Sequence, residues 1–119
     1  MNKATTIEQR GQSNPIRCSN VCDDNANPTG GYAHGVGMCI AWQDCPRGKN
    51  PDGTLGPATG AFVEDALVAA AQRLAYFQQS KYACDENAAA LQHINDAIDI
   101  MQSRAEKRAN RGVLGQHAV

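Results

Sequence analysis

The feature that most constrains the fold is a pair of amphipathic segments in the second half of the chain. The first segment, AFVEDALVAAAQRLAYFQ, is rich in alanine and has no internal glycine or proline. Its apolar residues recur at steps of four and three, a period that predicts an α-helix. They are Val63, Leu67, Ala70, Leu74 and Phe77. Glu64 and Asp65 fall in the first predicted turn, where negative charge favours the helix dipole.

A second helix is predicted after a break at QSKYAC. We expect it to start near Cys84 or Asp85, with Asp85 as a plausible capping residue, and to end at Gly112. Glycine is the residue type that most readily adopts the left-handed conformation found just after a helix. Because the connection between the two segments is short, they are predicted to form a helical hairpin.

An apolar stripe runs along the second helix and has a polar residue at each of its two ends. The stripe at steps of four and three is Asn87, Leu91, Ile94, Ile98, Met101, Ala105 and Arg108. Its middle five residues are apolar and form a seam of the coiled-coil type. Arg104 flanks the last turn and Arg111 lies three residues beyond Arg108, so the helix presents three guanidinium groups in neighbouring directions.

These polar ends have two interpretations. In the first they are structural: cations near a helix C-terminus complement its dipole, arginine stems cover apolar surface, and Asn87 caps the helix or faces water. In the second, two copies pair their seams antiparallel, and Asn87 of one copy lies beside Arg108 of the other. The two residues are about 30 Å apart along one helix, so only such pairing would bring them to one small ligand. A two-fold interface would then contain two equivalent pockets, each with a guanidinium for phosphate, an amide for a base, and nearby aromatic residues, Tyr76 and Phe77.

The first half of the chain carries weaker signals. Residues 1–35 are polar and short of large apolar side chains, which predicts a flexible or extended N-terminal arm, with residues 36–119 forming the folded domain. In GVGMCIAWQDC, alternating Met38, Ile40 and Trp42 predict a short strand. The predicted fold class is therefore α+β: a long helical hairpin with a short N-terminal β-strand pair or ribbon, assembling through the helices.

The segment PRGKNPDGTLGPATG is dense in turn residues and carries Arg47 and Lys49. A long loop of this kind is either a lid over an anionic ligand or a solvated connection.

The five cysteines leave a metal site as a minor alternative. Cys18 and Cys22 have three residues between them, and Cys39 and Cys45 have five, with His34 nearby. Structural zinc sites usually space paired ligands by two to four residues, so the second pair fits poorly. The N-terminus lacks the apolar segment of a signal peptide, which predicts a cytoplasmic protein with reduced thiols. We therefore predict no metal and no cofactor.

Charge and composition narrow the functional classes. The net charge is −1, which argues against a binder of nucleic acid polymers, and no apolar run is long enough to span a membrane. His93 and His117 invite a catalytic interpretation, but no nucleophile, carboxylate pair or firm metal motif accompanies them. We expect surface histidines and no enzymatic activity.

Several stretches resemble the phage Thoeris anti-defence proteins of the first type, which share a hairpin domain with phage anti-CBASS cyclic-nucleotide sponges. The resemblance covers roughly residues 36–119. Its most specific parts are the Glu86-Asn87 pair, the arginine spacing described above and a Gly-Val-x-Gly-x-His ending. The resembling stretches are IAWQDCPRG, GAFVEDALVAAAQRLAYFQ, YACDENAAALQHINDAI and SRAEKRANRGVLGQHAV.

The resemblance implies a protein that binds and sequesters a cyclic ADP-ribose isomer made by Thoeris TIR enzymes, without cleaving it, in the cytoplasm of the infected bacterial host. It implies a homodimer whose pockets hold the adenine with Phe77 and Asn87 and the pyrophosphate with Arg104 and Arg108. Arg111 completes the arginine cluster, and Arg47 is the candidate for an arginine contributed by the loop.

Some members of the family form hexamers that bind cyclic di- or trinucleotides in a second pocket built partly by the C-terminal ending. Here Leu114 and Gln116 replace the usual glutamate and threonine of that ending. Two other classes stay open: a hydrolase of such a signal, and a structural helical oligomerisation protein.

Overall fold

The N-terminal part of the chain forms an antiparallel sheet. The computed structural model describes residues 2–7 and 15–117. Its four strands are paired in chain order, each with the next. They are β1 (Asn2–Ile7), β2 (Ile16–Cys22), β3 (Pro28–Gly35) and β4 (Met38–Ala41). In β2, β3 and β4, the buried residues are Ser19 and Ala33, which are small, so these strands are held mainly by their backbone ladders.

A glycine allows the close approach of β2 and β3. Gly31 has φ +135°, and a Cβ at this position would collide with the carbonyl oxygen of Ser19. The strand register shifts nearby, between Asn20 and Cys22, as at a β-bulge. Only a residue without a side chain satisfies both the backbone conformation and the contact.

The segment after β4 is folded by its own hydrogen bonds. Trp42 forms a bridge with Ala61, and Lys49 forms one with Leu55. The Asn50 N–H donates to the Thr54 carbonyl at 2.7 Å. This segment, predicted from its turn residues to be a loop, is therefore a small hairpin-like structure. Whether it also covers a ligand stays a prediction.

Two helices follow, α1 (Val63–Gln78) and α2 (Asp85–Asn110), and they pack against each other as a hairpin. This confirms the predicted α+β class and helical hairpin; the sheet has four strands where a pair or ribbon was expected. Glu64 and Asp65 lie in the first turn of α1, as predicted. The Asp65 carboxylate accepts the Phe62 N–H at 2.8 Å and so satisfies one backbone donor at the start of the helix.

The predicted cap of α2 is wrong by one residue. Cys84 has the extended backbone of a capping residue (φ −154°, ψ 163°), and its sulfur accepts the Asn87 N–H at 3.4 Å. Asp85 is the first helical residue and contributes charge near the positive end of the helix dipole. At the other end, Gly112 has φ +73°, which confirms the predicted helix-ending glycine.

The burial of side chains confirms the stripe predicted for α2 and contradicts part of the stripe predicted for α1. In α2 the half-buried residues are the seven predicted ones plus Ala97. In α1, Ala71 is the buried residue, while Val63 and Ala70 of the predicted stripe are exposed. The packed face of α1 runs through Leu67, Ala71 and Leu74. Alanine is frequent throughout α1, so the period did not distinguish Ala70 from Ala71.

The described residues fall into two compact units. The sheet unit comprises those up to Ala61 together with those from Gly115 onward, and the hairpin unit is Phe62–Leu114. Gly35, the predicted end of the N-terminal arm, is the last residue of β3 and pairs with Met38 of β4, so the predicted boundary divides one sheet. Two of the seven residues of β2 are cysteines and three of the eight residues of β3 are glycines. β-Branched residues, which favour strands, are few in both, so the sequence concealed these two strands. Residues 8–14, also assigned to the arm, lie outside the described residues.

Neither helix, within residues 2–7 and 15–117, is both long enough and apolar enough to cross a membrane.

Candidate ligand-binding site on the helical hairpin

Two of the predicted site residues lie at the turn end of the hairpin, where α1 ends and α2 begins. Phe77 lies in the last turn of α1, and Asn87 lies in the first turn of α2. Both side chains are half-buried. An aromatic ring and an amide are the groups that stack on a purine and pair with its edge. That these two residues bind a base stays a prediction.

A side-chain clasp joins the two helices at this end. The Gln78 side-chain amide donates to the Cys84 carbonyl at 3.1 Å, and its oxygen accepts the Cys84 N–H at 3.1 Å. The Cys84 sulfur in turn accepts the Asn87 N–H. Ser80 closes the end of α1, because its hydroxyl donates to the Phe77 carbonyl at 2.6 Å. Hydrogen bonds thus link the side chain of Gln78, the residue after Phe77, to the Cys84 backbone, and the Cys84 side chain to the Asn87 backbone.

The Phe77 ring is surrounded by a second aromatic ring and a cation. Tyr76 packs edge-on against Phe77, with ring centroids 5.8 Å apart. The central guanidinium carbon of Arg73 lies 4.9 Å from the Phe77 centroid and 5.2 Å from the Tyr76 centroid. Both distances are within the range of a cation–π interaction.

The opposite end of α2 carries the arginine cluster. The half-buried Arg108 donates from Nη2 to the Val113 carbonyl at 3.2 Å, and its own carbonyl accepts the Val113 N–H at 3.0 Å. Arg104 is exposed, and Arg111 is the exposed capping residue that directly follows α2. Arg108 therefore both anchors the chain after α2 and keeps a guanidinium at the end of the apolar stripe.

Within one chain, the base-side and phosphate-side residues stay apart. Asn87 and Arg108 are separated by about 30 Å at the helical rise of 1.5 Å per residue. The structure therefore groups Phe77 with Asn87, and groups Arg104, Arg108 and Arg111 separately. No single hairpin brings the two groups to one small ligand.

Arg47 belongs to the sheet unit and has a structural contact there. Its Nε donates to the Gly56 carbonyl at 2.7 Å, and its side chain is half-buried. A Cβ at Gly56 would collide with the Arg47 carbonyl oxygen, so the two loop strands touch closely at this point. Arg47 therefore holds its loop closed, and its predicted role in ligand binding stays a prediction.

Three residues of this region were missed in the sequence. Arg73 precedes Phe77 by four residues, and this spacing alone predicts that the two side chains lie on the same face of α1. Gln78 and Cys84 had no such signal, because the clasp depends on how the connection between the helices turns back.

The cysteines are all free thiols. His34 is aligned with Cys39 across β3 and β4, and Cys18 is aligned with Ala33 across β2 and β3. Among residues 2–7 and 15–117, no three histidine, cysteine or acidic side chains are grouped as a metal ion requires. A hydrogen bond with Asp44, together with burial, raises the pKa of the Cys45 thiol, which disfavours the reactive thiolate.

The histidines occupy different environments. His93 is exposed on α2, and His117 is exposed beyond it. His34 stacks on Tyr32 with ring centroids 4.8 Å apart. These positions in the structure add no catalytic role to the three residues.

Comparison with known proteins gives one informative similarity. The chain is 38% identical over 68 residues to Thoeris anti-defense 1 of Bacillus phage SBSphiJ7. The matched region is 53% of this chain and 48% of the relative, so the chain spans about half the length of the curated relative that it matches. No family model matches the chain. The resemblance predicted from the sequence is nevertheless confirmed: over about half of its length, this chain is similar to a Thoeris anti-defence protein of the first type.

Proposed function

We propose that this protein is an anti-defence sponge that binds a cyclic ADP-ribose isomer made by Thoeris TIR enzymes and sequesters it without cleaving it. The relative's name supports a role against Thoeris defence. The single observation that carries the ligand class is the half-buried stripe of α2, which ends in an amide at Asn87 and a guanidinium at Arg108. In this proposal the protein acts in the cytoplasm of the infected host, where the signal is made.

The two ends of the hairpin supply complementary chemistry. At the turn end, Phe77 stacks on the adenine and Asn87 contacts it. At the other end, Arg104 and Arg108 hold the pyrophosphate, since the planar fork of a guanidinium matches two phosphate oxygens at once. Arg111 adds positive charge to the same end.

A homodimer is required by the spacing of these groups. No residue of α2 is fully buried within the single chain, so its stripe retains apolar area for a second copy. Large apolar side chains are also exposed on the hairpin unit, among them Val68, Tyr76 and Ile100. Antiparallel pairing of two hairpins would place Asn87 of one copy near Arg108 of the other and complete two equivalent pockets.

Sequestration is favoured over hydrolysis by the kinds of groups present. The proposed contacts are a ring, an amide and guanidinium groups, which bind a nucleotide but do not activate water at neutral pH. Cys45, a nucleophile by residue type, has a raised pKa. A hydrolase would need a general base beside the ligand, which none of the proposed contacts supplies.

Release on heating tests the proposal. The purified protein is incubated with the product of a Thoeris TIR enzyme, unbound signal is removed by filtration, and the protein is then denatured by heat. We expect intact signal, identified by mass spectrometry, in the supernatant after heating. Signal that is bound and then recovered as a cleavage product would identify a hydrolase. Signal that passes the filter unbound would leave the structural oligomerisation protein as the function.

The assembly is tested separately by light scattering. We expect at least a dimer at micromolar concentration, and a monomer would remove the proposed pocket. The same filtration assay with cyclic di- and trinucleotides tests the second ligand class, and a mass of six chains would identify the hexamer associated with it.

A further inference from the structure

The cation beside Phe77 is held on α1 by helical geometry. Arg73 precedes Tyr76 by three residues and Phe77 by four, the two spacings at which side chains on one helix face meet. Its guanidinium lies over both rings, at 5.2 Å and 4.9 Å from their centroids. The same side chain therefore contacts two neighbouring aromatic residues at the end of α1 where the base is proposed to bind.

This contact restricts what the Phe77 ring can do. A guanidinium over a ring is attracted to the negative face of its π-system, and that face is then covered. A planar group that stacks on Phe77 would then have to use the opposite face of the ring. Since χ2 of phenylalanine is a broad torsion, a ring with no partner on either face would sample several orientations.

We propose that Arg73 is a positioning residue of the ligand site: it covers one face of Phe77 and orients the ring so that a single base stacks on the opposite face. This inference rests on the proposed function. In this arrangement the Arg73 guanidinium, the Phe77 ring and the base of the ligand are stacked in that order, and each Phe77 binds one base. The ring is thereby ordered before the ligand arrives, which lowers the entropy cost of binding.

Two substitutions at Arg73 and one control elsewhere test the proposal. Arg73→Met retains a long flexible side chain but removes the cation, and Arg73→Lys restores a cation of different shape. Lys81 provides the matched control, because its ammonium nitrogen lies 5.2 Å from the Tyr82 centroid in the same unit. Lys81→Met removes the same charge and the same kind of contact without touching Phe77.

Affinity for the TIR-produced cyclic ADP-ribose isomer is measured for all four proteins by calorimetry. We expect Arg73→Met to weaken binding roughly 3- to 10-fold, in line with the strength of a cation–π contact. Arg73→Lys should recover most of the loss, and Lys81→Met should bind as the unsubstituted protein does. Thermal unfolding of each variant confirms that the hairpin remains folded.

The Phe77 ring resonances, observed by NMR with labelled phenylalanine, separate positioning from general stabilisation. Without ligand, Arg73→Met should shift and broaden them, while Lys81→Met should leave them unchanged. Unchanged ring resonances or unchanged affinity in Arg73→Met would overturn the inference while leaving the proposed function intact. An equal loss in Lys81→Met would also overturn it, because the effect would then be one of net charge. Failure of the unsubstituted protein to bind would reject the proposed function and this inference together.

Discussion

The sheet unit and the hairpin unit are held together by different parts of the chain. In the hairpin, side chains at helical spacing form the packed faces: Leu67, Ala71 and Leu74 in α1, and the stripe from Asn87 to Arg108 in α2. In β2, β3 and β4, the buried residues are Ser19 and Ala33, and the backbone of β2 lies close to Gly31 of β3. A substitution in the hairpin should therefore act through side-chain volume or charge. In the sheet, a single Cβ added at Gly31 should disrupt the strand pairing, because it would collide with the backbone of β2.

The largest expected effect is at Gly31. Gly31→Ala should destabilise the sheet unit by about 3 kcal/mol, because alanine disfavours this backbone conformation and its Cβ would collide with the Ser19 carbonyl. Trp42, the single tryptophan, lies in the sheet unit and reports on it by fluorescence during urea unfolding. Gly37→Ala is the control, since φ there is also positive (+76°) but a Cβ would meet open space. Equal losses of stability in the two variants would show that the positive φ angle alone, without the collision, accounts for the effect.

The second expected effect concerns the charge at the end of α2. Arg108→Glu should lower affinity for the TIR product roughly 100-fold or more, because it removes a forked donor and places a carboxylate where phosphate is proposed to bind. Lys107→Glu makes the same charge change on the exposed neighbouring residue and should have a much smaller effect. Calorimetric titration measures both, with circular dichroism to confirm helix content. Retained affinity in Arg108→Glu would mean that the pocket lies elsewhere.

A smaller effect distinguishes the observed face of α1 from the one predicted from its sequence. Ala71→Leu should cost about 1–3 kcal/mol by overpacking the hairpin, since Ala71 is only 8% exposed. Ala70→Leu, at the exposed neighbouring position, should change stability by no more than about 0.5 kcal/mol. Urea unfolding followed by circular dichroism at matched protein concentration compares the two. A larger loss of stability in Ala70→Leu than in Ala71→Leu would support the stripe predicted from the sequence, in which Ala70 is packed.

The cap of α2 predicts a still smaller effect. Cys84→Ala should destabilise the hairpin by about 0.5–1 kcal/mol by leaving the Asn87 N–H without its acceptor, and Cys84→Ser should not, because serine is a preferred capping residue. The same unfolding measurement under reducing conditions checks this. If both substitutions have the same effect, the sulfur does not act as a cap.

The smallest effect is a dependence on pH in the sheet unit. Hydrogen bonds from the Asn27 and Asn25 N–H groups, 2.9 Å each, lower the pKa of Asp23. Because the folded-state pKa lies below the unfolded one, Asp23 contributes stability above the ordinary carboxyl value of about 4 and loses it as the pH falls further. Asp23→Asn should therefore flatten the pH dependence of unfolding below pH 4, as measured by Trp42 fluorescence. An unchanged acid dependence would assign it to other carboxylates, such as Asp52, whose pKa is lowered by hydrogen bonds from Thr54.

Much of the hairpin was predictable because its signals are local. The stripe of α2 from Asn87 to Arg108, the acidic first turn of α1 and the glycine after α2 each depend on helical spacing or on one residue's backbone preference. The sheet was largely hidden, since β2 and β3 pair through backbone groups that carry no side-chain period. For the same reason the boundary predicted at residue 35 fell between two paired strands.

The sequence by itself determined the two helices and, in α2, the polar ends of the apolar stripe. It also determined that three arginines lie within two helical turns at the end of α2, because all of these features follow from the period of a regular helix. Only the tertiary structure decided which face of α1 is packed, that the clasp from Gln78 holds the cap of α2, and that Arg73 lies over Phe77. It also decided that Arg47 is engaged by its own loop. Helical spacing places Arg73 and Phe77 on one face of α1, but their contact also requires particular rotamers of both side chains. The clasp and the Arg47 contact depend on how the chain turns back on itself, which the spacing of residues does not determine.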